Sequence, residues 1–166
     1  MKELLWLDEY KGESVDELIA LAGKYRTASL VLAFEQAMDQ KVARVGEDKL
    51  TIEERIILAI EALEREVNNG GYSQFFFNSS RAYAPIIVDA LQRIHCPEAA
   101  KITQKALQII QQASLTDEEI ENGTWEENEE IKDALGECDS LFFECEDNIE
   151  ENLFAFIKAN RSRIEP

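Results

Sequence analysis

The stretch TIEERIILAIEALEREVNNGG, residues 51–71, decides the fold class. Thr51 and Glu54 have capping-box spacing, in which an N-cap hydroxyl and an N3 carboxylate satisfy backbone donors at a helix start. Behind them Ile56, Ile60, Leu63 and Val67 recur at steps of four, three and four. That spacing puts all four on one helix face. Ile57, Leu58 and Ala59 widen the stripe. Asn68-Asn69-Gly70-Gly71 then stops the helix, because glycine accepts positive φ at a helix end.

The same grammar repeats in both directions. Ser14–Glu17 and Thr116–Glu119 are further capping boxes. Leu18, Ile19 and Ala22 follow the first, with Gly23 as its stop. From Thr27 to Val45, Leu30, Phe34, Met38, Val42 and Val45 share a face, and Gly46 sits where a C-cap glycine belongs. Pro85 suits the first turn of a helix with Ile87, Leu91 and Ile94 inward. Another helix is expected from Glu98 to Gln112. Trp125 to Leu135 reads as a helix interrupted by Gly136, followed by an apolar cluster of Leu141, Phe142 and Phe143. A last helix is expected over Ile149 to Asn160. No run of alternating strands or fixed-period repeat is present. The chain is therefore expected to be all-α: a single-domain, irregular bundle of about seven or eight helices.

Composition narrows the function. Of 166 residues, 45% are hydrophobic, enough for a packed core. No apolar run approaches the ~20 residues that span a bilayer, and the N-terminal residues lack the apolar stretch of a signal peptide. Cys96, Cys138 and Cys145 are odd in number and show no C-x-x-C spacing, which fits reduced thiols. A cytoplasmic protein is expected.

The acid is concentrated. Net charge is −17, from 34 acidic and 17 basic residues. Residues 1–113 carry a net −4, and residues 114–166 a net −13. Between Ser114 and Glu151, 16 acids face a single base, Lys132. Such a block raises the energy of the compact state by self-repulsion and repels nucleic acid and anionic membranes. It asks for a basic partner, a cation site, or solubility as its reason.

Sites of chemistry are sparse. His95 is the only histidine, so any triad or Cys–His dyad must use it. Cys96 is adjacent, and adjacent helical residues point apart. One histidine and three scattered cysteines do not give zinc spacings. Asp139 to Glu150 has the length of an EF-hand loop, but Leu141 and Glu144 fall where a ligand and a glycine are required. No catalytic residues, metal site or cofactor are expected.

The most specific string is EVNNGGYSQFFFNS, residues 66–79. On its own it reads as helix-stop chemistry followed by aromatic residues re-entering the core. The alternative is a small-molecule pocket lined by Asn69, Tyr72, Gln74 and Asn78. The string resembles the signature of the DNA-mimic protein family, a bacterial family of small, acidic, all-helical proteins also classed as a domain of unknown function. The resemblance spans about residues 51–160. It includes Asp139, Phe142 and the closing Phe156-Ile157-Lys158-Ala159-Asn160. Tyr72 stands where the family most often has Phe, and Arg81 where it has a small residue. The resemblance implies a homodimer whose surface carboxylates imitate phosphates and occupy the DNA-binding face of a transcription factor.

The acidic segment, residues 114–151, can supply those carboxylates. B-DNA carries one charge per ~1.7 Å of axis, and a helix rises ~1.5 Å per residue. Glu126, Glu127, Glu129, Glu130, Asp133 and Glu137 form one candidate cluster. Glu126, Glu130, Asp133 and Glu137 are expected on a single face. Asp117, Glu118, Glu119 and Glu121 form a second. The expected function is a non-enzymatic acidic protein that binds a basic DNA-binding transcriptional regulator. The alternatives are an inhibitor or immunity-type module for a basic enzyme such as a nuclease, or a small-molecule-binding protein using the Asn-Gly-Gly-Tyr turn. A solvated, solubilising face is the plain reading of the same charges.

Overall fold

The computed structural model describes residues 3–166. The described residues form eight α-helices and no strand: α1 (Val15–Ala20), α2 (Thr27–Val45), α3 (Ile52–Phe77), α4 (Ile87–Arg93), α5 (Pro97–Gln112), α6 (Asp117–Asn122), α7 (Glu129–Glu144) and α8 (Ile149–Ala159). Short 3₁₀ turns separate several of them. No helix among the described residues is long and apolar enough to cross a membrane.

The chain divides into two compact units. The first comprises residues up to Glu61 together with Asn148–Pro166, and the second comprises Ala62–Asp147. In the first unit, α1 and α8 each pack on α2. Leu30, Phe34 and Met38 are buried as their spacing requires, but the stripe frays at its end, where Val45 is exposed. Glu54 is fully buried there. Its carboxylate accepts from Lys41 Nζ at 2.8 Å, Thr51 N at 2.9 Å and Glu165 N at 2.8 Å. A buried charge persists when it is paired and hydrogen-bonded in this way. The capping box at Thr51 thus also fastens the C-terminal residues.

In the second unit α5 packs against α4 and α7. Helix α3 is broken within it: Gly70 and Gly71 leave helical geometry, and helix resumes at once with the aromatic residues. The glycine pair therefore acts as a kink between two helical segments. Leu63, Val67, Tyr72, Phe75 and Phe76 are all buried.

Three local expectations are corrected in this unit. Trp125 does not begin a long helix. Thr124–Glu127 is a 3₁₀ turn, and α7 starts only at Glu129. Asn128 is its N-cap, with a side-chain oxygen accepting from Glu130 N at 3.0 Å and Ile131 N at 3.3 Å. Trp125 is instead buried in the turn, its indole N–H donating to the Ile120 carbonyl at 3.2 Å. Gly136 does not interrupt α7, which runs through it. The expected apolar cluster opens outward: Phe142 is buried, but Leu141 is 42% and Phe143 59% exposed.

Candidate functional site

The Gly70–Gly71 kink is built by a carboxylate distant in sequence. Gly71 has φ 73° and ψ −176°, a region essentially reserved for glycine. Asp139 of α7 lies against it, and a Cβ at Gly71 would collide with the Asp139 carboxylate. Asp139 Oδ1 accepts from the Tyr72 N–H at 2.7 Å. It thereby caps the restarted helix, where a negative charge is favoured by the helix dipole. Burial raises the Asp139 carboxyl above its ordinary value, and the Tyr72 N–H pulls it partly back.

The neighbouring polar residues are also engaged inside the unit. Tyr72 is fully buried, and its hydroxyl pairs with Thr103 Oγ1 at 2.7 Å. Its ring meets Phe142 edge-on, with centroids 5.9 Å apart. Gln74 Nε2 and Asn78 Nδ2 donate to the Glu66 carboxylate at 2.7 and 2.8 Å. Of the expected pocket residues, only Asn69 is exposed. The two unusual residues have partners as well: the Tyr72 hydroxyl has Thr103, and Arg81 forms an ion pair with Glu121.

His95 is exposed and Cys96 is buried. Burial pushes the Cys145 thiol up to about 11 and raises that of Cys138. Both thiols are therefore protonated and weakly nucleophilic near neutral pH.

All ten carboxylates of the two candidate clusters are exposed. They are carried by α6, the 3₁₀ turn and α7, consecutive elements of the second unit. Three have partners. Glu119 closes the capping box with Thr116. Glu121 pairs with Arg81, and Glu137 meets Lys105 at 3.4 Å.

The expected single face of Glu126, Glu130, Asp133 and Glu137 is not present, because Asn128 separates Glu126 from the helix. The 3₁₀ turn nevertheless brings Glu126 to a cleft of about 940 Å³, shared with Asp133 and Glu137. Glu130 lines a different depression, beside Ile109 and Ile131. The cleft also holds Asp139 and Lys132, which sequence reasoning did not place among the candidates. Lys132 carried a signal, as the lone base of its segment. Asp139 carried none locally, since the residue it caps is 67 positions away.

The family model described as DMP19-like protein matches residues 48–160. No curated protein and no solved structure matches the chain.

Proposed function

The chain belongs to the DMP19-like protein family, and from that premise we propose that it is a non-enzymatic, cytoplasmic DNA mimic. Its acidic face binds a basic, DNA-binding transcriptional regulator and blocks that regulator's DNA site. A homodimer would present the face twice. The observation that carries this reading is the exposure of all ten candidate carboxylates along consecutive elements of one unit. Their mutual repulsion does nothing for folding, and a cationic groove relieves it on docking.

The test is affinity capture from the native host's lysate. The expected result is a basic DNA-binding protein that salt releases and duplex DNA displaces. The variant E126Q/E127Q/E129Q/E130Q/D133N/E137Q, with its helical circular dichroism intact, should not retain it. A captured protein that the variant holds as well, and that DNA does not displace, would contradict the proposal. Capture of a basic nuclease would turn it toward the inhibitor reading.

A further inference from the structure

Among the described residues, Lys132 is the one base that lines the cleft of the second unit. Lys132 is the only base between Ser114 and Glu151. It is exposed and lines the cleft with Glu126, Asp133, Glu137 and Asp139. Among the described residues no carboxylate lies within 4.0 Å of its ammonium. The bases that reach this acidic segment from elsewhere in the unit behave differently. Arg81 is paired with Glu121, and Lys105 with Glu137. Gly136 stands one helical turn beyond Lys132, and nothing lies within 4 Å of where its Cβ would be. Residues four apart are neighbours on a helix surface. The helix surface one turn beyond Lys132 thus carries no side chain of its own.

We propose that Lys132 is the specificity-determining residue of the acidic face: it receives one carboxylate of the partner while the surrounding carboxylates receive the partner's cations. The inference rests on the DNA-mimic reading and names the partner chemistry that reading leaves open. A uniformly basic surface docked here would press a cation against Lys132, and like-charge juxtaposition at an interface is strongly unfavourable. Rejection of wrong partners by such repulsion is a common device of specificity.

DNA makes the same division. Phosphate contacts position a protein without reading sequence, and base edges specify. Asp and Glu side chains accept from the exocyclic amine of cytosine. Lys132 offers an acidic side chain a donor of that kind, set among charges that stand in for phosphates. The partner this selects is a DNA-binding surface that carries a carboxylate among its arginines and lysines.

The experiment is selection of a displayed library of random peptides on the wild-type protein and on Lys132→Gln, an exposed substitution. Wild type should enrich peptides rich in Arg and Lys with one Asp or Glu at a fixed place. Lys132→Gln should keep the preference for bases and lose the acid. Calorimetry on an enriched peptide and its Glu→Gln or Asp→Asn counterpart then measures the preference. The expected value is about tenfold for wild type, from the coupling of close interfacial charge pairs, and none for the variant. If both proteins enrich the same acid-free basic peptides, the role of Lys132 is overturned and the DNA-mimic reading survives. If neither enriches basic peptides, both fail together.

Discussion

Residues 62–113 and 114–147 build one unit from the same kind of helix, yet they differ completely in charge. The first stretch carries four acidic and five basic residues, and the second fourteen acidic and one basic. Several of the carboxylates that hold the unit together are turned into it. Glu66 gathers Gln74 and Asn78, and Asp139 caps the helix at Tyr72. Asp147 accepts from the Ala99 N–H at 2.9 Å, at the start of α5. The carboxylates of the two candidate clusters face solvent. Folding therefore uses a small number of acids at helix starts, where orphaned N–H groups and the dipole reward them. Within the two clusters Asp117, Glu118 and Glu119 share that role at the start of α6, and Glu129 and Glu130 at the start of α7. The others sit in the first turn of no α-helix, and they are the ones the proposal assigns to a partner.

That contrast can be broken most sharply at Gly71. Gly71→Ala combines a strained backbone, about 1–3 kcal/mol, with displacement of the Asp139 cap, about 1–2 kcal/mol. A loss of roughly 3 kcal/mol or more is expected in urea unfolding followed by circular dichroism. A near-neutral result would mean that the kink is not held as described.

Asp139→Ala comes next, with an expected loss of about 1–2 kcal/mol, typical of a removed cap. Asp139→Asn should lose less, since an amide oxygen can still accept from Tyr72 and no charge is left to desolvate.

A smaller effect separates the two classes by pH. Burial raises the Asp139 carboxyl, whereas the Thr116 backbone N–H and hydroxyl lower that of exposed Glu119. The signs are opposite. The Glu119 capping box contributes fully above the ordinary carboxylate value and is lost as pH falls through its lowered one. The cost of ionising Asp139 is fully present above its raised value, declines as pH falls below it, and is gone below the ordinary carboxylate value. A carbon-detected NMR titration should find Asp139 above and Glu119 below the ordinary value, and the reverse order would contradict the assignment.

Much of the fold was legible because its signals are local. The three capping boxes form as their spacing indicates, and α2 spans Thr27–Val45 as expected. The misread elements lie where two local signals compete. Trp125 looked like a helix anchor, but Asn128 followed by Glu129 and Glu130 is a stronger start, with a capping side chain and acids in the first turn. Gly136 looked like a stop, but an isolated glycine costs a helix only about 1 kcal/mol, less than the packing of Leu135, Cys138 and Phe142 returns. For the site, the acidic segment was plain from charge alone. Its division between a cleft and a separate depression was not, because Asn128 sets the helical register and the turn before it re-aims Glu126.

The most direct measurement is urea unfolding at low salt of E126Q/E127Q/E129Q/E130Q/D133N/E137Q beside wild type. Like charges one turn apart each cost a helix a few tenths of a kcal/mol. Relief of that repulsion is offset by loss of the first-turn acids Glu129 and Glu130 and of the exposed Glu137–Lys105 pair. The expected result is therefore a midpoint close to that of wild type with an unchanged slope. A midpoint lowered by the equivalent of about 2 kcal/mol, in the range of losses that carry a named structural cause, would show that these carboxylates serve the fold, and would contradict the separation of structural from partner-facing acids.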